Sequence, residues 1–411
     1  MSEGHPKRGN VAILSVCQAL AMAAGSIDMT LTALTGYQLA PDKLLATLPF
    51  SLITVAGAFV TFSASMLMKR IGRKLGFMLG ATVGTLGGIV SFWAVLHADF
   101  WVFCMGTAAV GVFQAFAQYY RLAASDSVRD EDKSKAISAV LAGGVVAAVL
   151  GPMLASWSKD FIPTVLFAGS YLAIAALSLV SILLLAIFYR ELAGQQASAA
   201  ASVQGVDRSI GVIVRTPIFM ASTASMIVGS VVMMFVMTAA PLAAVACGHT
   251  IDDSANIIQW HLVGMFAPSF VTGILIKRFG LPRIVFAGIA LNLACTTVAV
   301  SSISLAAFYL ALFCLGVGWN FLFVAGSTLL AQSCRPSEQA KTQGTAELAR
   351  YLATAIATLA AGPILEIEGW KIVNLAMLPL SVLISGVIVW WVASERRRQR
   401  HDRKIAKAAA M

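Results

Sequence analysis

The stretch Ser65-Met66-Leu67-Met68-Lys69-Arg70-Ile71-Gly72-Arg73-Lys74 closes one long apolar run and opens the next. Four of its last six residues are cationic, and Gly72 sits among them as the residue that turns a chain at least steric cost. A shorter copy, Lys277-Arg278-Phe279-Gly280, stands 208 residues further on, again between two apolar runs. A second pair repeats at nearly the same spacing: Gly151-Pro152 recurs as Gly362-Pro363, 211 residues later. Two independent features at one offset, about half of the 411 residues, predict tandem copies of one helical unit.

Composition says what those units are. The chain is 59% hydrophobic and 12% charged, with a mean hydropathy of +0.83. Repeated apolar runs of about 20 residues imply an all-α membrane protein, because a backbone in lipid satisfies its hydrogen bonds within each helix. Twelve spans are predicted, at residues 11–33, 44–68, 75–96, 100–123, 136–157, 162–189, 217–246, 255–276, 284–301, 305–332, 344–365 and 373–393. Ala19-Leu20-Ala21 resembles a signal-peptide cleavage site, but the apolar run continues past it, so the first helix is read as uncleaved. Gly143-Gly144 and Gly151-Pro152 predict close helix approach and a local break in the fifth span.

The formal charge of +10 raises the question of nucleic acid, and its distribution answers it. Lys and Arg cluster in alternate loops, leaving Lys43, Lys159 and Lys371 of the 29 on the opposite side. That asymmetry places both termini in the cytoplasm, N-in and C-in, and makes the lipid bilayer rather than nucleic acid the partner. Residues 190–215 form an Ala/Ser/Gln/Gly-rich linker. The division is then a six-helix bundle at 1–189, the linker, a second bundle at 216–394, and a basic tail at 395–411 carrying Arg396-Arg397-Arg398.

Candidate functional residues gather on the seventh and eighth spans. Met226, Met233 and Met237 share one helix face, and His261 and Met265 stack at i, i+4 on the next helix. A short polar link makes these helices antiparallel neighbours. Met237 and Met233 lie 13 and 17 residues before Thr250, His261 and Met265 lie 11 and 15 after it, so the four side chains fall at similar depth. Thioethers and imidazole suit Cu(I), yet methionine also packs well in helices, and spacing alone leaves ligation and packing open. Cys247 and His249 at the mouth are candidate entry ligands. Asp28 is a candidate for metal capture or proton exchange, as an ionisable group in an apolar helix. Glu347 and Arg350, one turn apart, are read as a structural ion pair or a coupling site. The six cysteines show no C-x-x-C spacing, which signals neither a disulfide framework nor zinc. No nucleotide-binding loop is present, so the expectation is a secondary carrier, not an enzyme.

The loop motif Ser65-x-x-x-Lys69-Arg70-x-Gly72-Arg73-Lys74 resembles the inner-loop signature of the major facilitator superfamily, although Ser65 and Lys69 stand where that family has Gly and Asp. Its second copy keeps Gly273 and again carries a lysine, Lys277, at the acid position. The resemblance covers essentially the whole chain. It implies two six-helix repeats moving by alternating access, with Lys69, Arg70, Gly72, Arg73, Lys277, Arg278 and Gly280 in the gating loops. Within that superfamily, Met233-x-x-x-Met237 with His261-x-x-x-Met265 resembles the CcoA-type copper importers of bacterial inner membranes. That likeness implies copper uptake into the cytoplasm for assembly of a cbb-type cytochrome c oxidase, with Met233, Met237, His261 and Met265 as ligands. It makes Cu(I) the substrate, not a prosthetic group, and copper chaperones or oxidase assembly factors the partners inside. Two rivals remain: a carrier or exporter of a small organic solute, with Trp260, Trp319 and Asn320 available to line its pocket, and a copper receptor that transports nothing.

Overall fold

A computed structural model describes residues 8–129, 132–191, 208–335 and 338–409. Residues 192–207 of the linker, and the side chains of Ser65, Lys69 and the tail from Arg398, lie outside the described set. The fold is all-α. The first half carries α1 (Arg8–Leu39), a 3-10 turn (Lys43–Leu45), α2 (Leu48–Ile71), α3 (Arg73–Leu96), α4 (Phe100–Ala117), α5 (Tyr120–Ser125), α6 (Lys133–Ser158) and α7 (Ala168–Phe188). The second carries α8 (Ile210–Ile213), α9 (Pro217–Ala246), α10 (Ile251–Phe266), α11 (Ser269–Phe279), α12 (Leu281–Ser301), α13 (Leu305–Gln332), α14 (Gln339–Leu375) and α15 (Leu378–Ala409).

The two basic loops fold alike. Gly72 has φ 88° and Gly280 φ 85°, and each ends one helix and starts the next, its N–H bonding to Met68 O or Ile276 O. Only glycine takes that backbone without strain. Elsewhere side chains start the helices: Asp99 accepts from the Trp101 and Val102 N–H groups of α4, and Thr250 with Asp253 forms a capping box on α10.

Ten helices among the described residues are long and apolar enough to cross a membrane, or eleven when the bent pair α10 and α11 counts as one span. The protein is thus an all-α multi-spanning membrane protein. The last of the ten covers 57 residues, 341–397. At 1.5 Å per residue such a helix would be about 85 Å long, against about 30 Å of hydrocarbon. It is interrupted by Gly369 at φ 77° and by the junction of α14 with α15.

Two local predictions are corrected. The span predicted at 255–276 is two helices bent by 43° at Ala267-Pro268, because proline has no N–H to continue the ladder. The span predicted at 100–123 stands as one run, Phe100–Ser125, within which α4 gives way to α5 between Ala117 and Tyr120. The break predicted at Gly151-Pro152 is absent, since α6 runs through Pro152 to Ser158.

Within the first half α3 packs between α4 and α7, and α1 lies on α6. Within the second, α9 packs against α13 and α14, and α12 lies on α13. Across the halves α2 meets α14, α6 meets α10 and α1 meets α9. These crossings concentrate at the end opposite the basic loops. There Phe50 and Ala148 join the apolar core of the second half, Leu242 and Leu365 pack against the cluster of Ile27 and Leu31, and Gly362 approaches so close to Thr47 that any Cβ would collide with it.

Candidate functional site

Between the halves lies a cavity of about 120 Å³, walled by α1, α4, α6 and α10. Gln18, Met22, Ser26 and Met29 reach it from α1; steps of four, four and three return to one face of the helix. Gln114 and Gln118 face it from α4, and Leu262 and Phe266 from α10. One wall is therefore polar but uncharged and the other apolar. Glutamine inside an apolar run is the sequence signal for this wall, a weaker one than an ionisable group or a soft donor because the amide carries no charge.

Asp28 stands behind the polar wall, 1% exposed. Its Oδ1 accepts from Thr32 Oγ1 at 3.1 Å and its Oδ2 from Gln114 Nε2 at 3.1 Å. Both partners are neutral. Gln114 thus touches the cavity and the buried carboxyl at once. Tyr171 stands beside this group, its hydroxyl donating to Thr35 Oγ1 at 3.0 Å and lying 3.4 Å from Thr32 Oγ1.

On the second half, Phe266 presents its edge to Trp319, with ring centroids 6.5 Å apart. Trp319 stacks on Phe323 at 4.9 Å and 13°. The Arg350 guanidinium lies over Phe323 at 5.6 Å and over Tyr351 at 4.4 Å, and its Nη2 is 2.7 Å from Glu347 Oε2. Trp260 is 51% exposed on the outside of the bundle. Asn320 is fully engaged: Nδ2 donates to Met265 O at 2.7 Å and Ser269 Oγ at 2.6 Å, and Oδ1 accepts from Thr272 at 2.7 Å. It braces the broken α10–α11 span by occupying a carbonyl that the proline break leaves unpaired.

The copper reading is overturned. Among the described residues there is no group of three or more His, Cys, Asp or Glu able to hold a metal ion. His261, 0% exposed, places Nδ1 2.8 Å from Leu312 O, so the Nδ1–H donates to a neighbouring helix. Met233, Met237 and Met265 belong to the apolar core with Phe50, Ile257 and Leu262. Met226 belongs to a different cluster, with Phe219 and Leu330. Cys247 packs partly buried on the core. His249 Nε2 lies 2.8 Å from Ile303 O, its ring edge-on to Phe308. The helical spacing that aligned the methionines also turns them into the helix-packing face, where a flexible thioether fills gaps. Copper as cargo, copper chaperones and oxidase assembly factors as partners, and the CcoA-type likeness fall together.

The first of the two loops at the basic end is tied to its own surroundings. Arg73 Nη2 is 2.6 Å from Asp126 Oδ2, the Arg73 N–H donates to Glu191 Oε1 at 2.6 Å, and Lys74 Nζ donates to Ala186 O at 2.8 Å. Arg70, Lys277 and Arg278 are exposed.

Residues 13–258 and 225–410 match the profile of the Major Facilitator Superfamily. The chain is 37% identical over 384 residues to the riboflavin transporter RfnT of Brucella anthropi, covering 93% of this chain and 96% of that protein. It is 27% identical over 391 residues to the uncharacterized MFS-type transporter YddS of Bacillus subtilis, covering 92% and 90%. Among solved structures, the nucleoside transporter NupG superposes with a TM-score of 0.67 over 93% of this chain and 98% of that one, at 15% identity, a likeness of fold alone.

Proposed function

The chain belongs to the major facilitator superfamily and is a multi-pass inner-membrane transporter rather than an enzyme, and on that premise we propose that it is a secondary carrier of riboflavin or a flavin of the same ring system. The observation that carries this reading is the full-length 37% identity to a riboflavin transporter. The site is chemically compatible with it. Neutral amides from Gln18, Gln114 and Gln118 suit a solute with many hydroxyl and carbonyl groups and no fixed charge, and the Phe266 side suits a flat ring.

The carrier is proposed to have twelve spans in two six-helix halves, with both termini in the cytoplasm. The α10–α11 pair counts as one span and residues 341–397 as two, divided near Gly369. The duplication is supported by the paired positive-φ glycines, and by the α2–α14 and α6–α10 contacts, which the 208- and 211-residue offsets make equivalent. Residues 1–189 and 216–394 are the moving bodies and 190–215 their tether. The basic tail at 395–411 holds to the cytoplasmic lipid surface. With inter-half packing concentrated away from the basic loops, the conformation is closed outside, and the cavity belongs to a state facing the cytoplasm. At about 120 Å³ it is contracted relative to the 300–1,000 Å³ of typical ligand pockets.

The test is growth and uptake. Expression in a riboflavin auxotroph that lacks its own importer should restore growth on micromolar riboflavin and accumulation of labelled riboflavin. Protein present in the membrane with neither result would refute the substrate.

A further inference from the structure

Behind Phe266, the aromatic side chain in the cavity wall, the second half carries a polar atom that the protein leaves unused. Trp319 Nε1 is buried and has no hydrogen-bond partner within the described protein, and an N–H left so costs about 1–3 kcal/mol unless something else accepts from it. Its neighbour Asn320 spends every polar atom on the helix break, so the unmet donor is a property of Trp319 and not of that stretch of α13. The indole is the second member of a continuous ladder, Phe266, Trp319, Phe323, Arg350 and Tyr351, whose first ring stands in the cavity wall. Arg350 sits in the ladder between Phe323 and Tyr351, its flat guanidinium held by two bonds to Glu347 Oε2 at 2.7 and 2.9 Å. Flat cations and indoles in series offer π faces with hydrogen-bond donors at their edges.

We propose that this ladder is the seat of the solute's planar heteroaromatic ring: the ring lies along Trp319 and Phe323, Trp319 Nε1–H donates to a ring carbonyl or ring nitrogen, and the edge of Arg350 meets the acceptor at the ring's far end. The assignment rests on the flavin reading and adds the residues that recognise the ring. The polar wall of Gln18, Gln114 and Gln118 then receives the polyol chain from the other half, so that closing the halves on each other engages both ends of the solute.

The experiment measures riboflavin uptake in cells carrying the intact chain, Trp319→Phe, Arg350→Lys and, as control, the lipid-side Trp260→Phe. Competition by lumichrome, which keeps the ring and lacks the chain, is measured alongside. Trp319→Phe keeps the stacking face and removes only the donor. Its KM for riboflavin should rise about tenfold, the equivalent of one hydrogen bond, with the maximal rate kept, and lumichrome should lose competitive strength by a similar factor. Arg350→Lys, which keeps the charge but not the flat fork, should raise both values as well. Trp260→Phe should match the intact protein. Wild-type riboflavin uptake with unchanged KM and unchanged lumichrome competition in Trp319→Phe and Arg350→Lys overturns the ring seat and leaves the substrate standing. Absence of riboflavin uptake by the intact chain removes the substrate and the seat together.

Discussion

Lys159 Nζ, at the end of α6, lies 3.2 Å from Asp252 Oδ1 in the first turn of α10, and this ion pair joins the two halves at the end remote from the basic loops. The lysine is almost wholly buried while the aspartate is 56% exposed. Asp160 shares the ammonium, and Ser156 donates to Asp252. On the proposed two-body cycle this buried charge is a latch, since separating the halves at that end would break it.

Asp252→Asn should therefore favour the outward-open state. With one partner half exposed the pair is worth about 1 kcal/mol or less, an upper limit of roughly fivefold in the ratio of the two states. Labelling of a cysteine introduced near Thr47, in the otherwise intact carrier, should speed up accordingly. An unchanged labelling rate in Asp252→Asn and Lys159→Gln alike would remove the latch.

The two loop glycines should respond unequally to alanine. Both lie at positive φ, which costs an alanine about 1–2 kcal/mol. At Gly72 the new Cβ would in addition strike the Glu191 carboxylate that accepts from Arg73, whereas at Gly280 its nearest neighbour is Pro282 at an ordinary contact distance. Thermal melting in detergent should place Gly72→Ala below Gly280→Ala, with Gly280→Ala below the parent. The reverse order would contradict the packing described here.

Arg208 clamps Glu338 with Nη2 2.6 Å from Oε2, and the carboxylate side chain is 0% exposed. The Arg208 side chain, and then the backbone N–H of Arg335, hold the Glu338 carboxyl well below its ordinary value of 4.5. A depressed folded-state pKa contributes stability that is complete above the unfolded value and fades as pH falls through the folded one. The melting temperature of Glu338→Gln should thus lie below the parent's by a constant margin from pH 8 to about 4.5, and the margin should narrow only in stronger acid. A gap that closes already between pH 7 and 5 would mean that the clamp is not what stabilises this corner.

Asp28 accepts one hydrogen bond from a neutral donor on each oxygen, so asparagine removes its charge and turns one of the two acceptors into a donor. Asp28→Asn keeps an acceptor for Gln114 and should keep riboflavin binding. If the buried carboxyl, linked to the cavity through Gln114, is where the proposed carrier exchanges its proton, the variant should lose accumulation driven by a pH gradient. Gradient-driven accumulation equal to the parent's would exclude that role.

Met233→Leu and Met237→Leu should leave uptake within about twofold and cost less than about 1.5 kcal/mol each, as volume-conserving core changes do. His261→Ala should lower the melting temperature by removing the partner of Leu312 O. Cellular copper content should not follow any of the three.

How far the sequence reached differs between fold and site. Hydropathy alone made the chain a bundle of spanning helices, because lipid allows a helical backbone no other way to satisfy its hydrogen bonds. The two glycine turns were readable because nothing but glycine adopts φ near 85° cheaply. The break at Pro268 carried a local signal too, masked by the surrounding apolar run.

The site was another matter. Met233 and Met237 do share one face of α9, but periodicity cannot tell a face that meets a cavity from one that meets another helix, and this face meets helices, as His261 does. The proposed cargo rests on full-length likeness to a riboflavin transporter, not on any spacing. Which polar atoms remain free was decided only by tertiary contact: Asn320 and Trp319 are adjacent in the chain, and the packing of α10 and α11 uses every donor of one while leaving the indole N–H of the other without a partner.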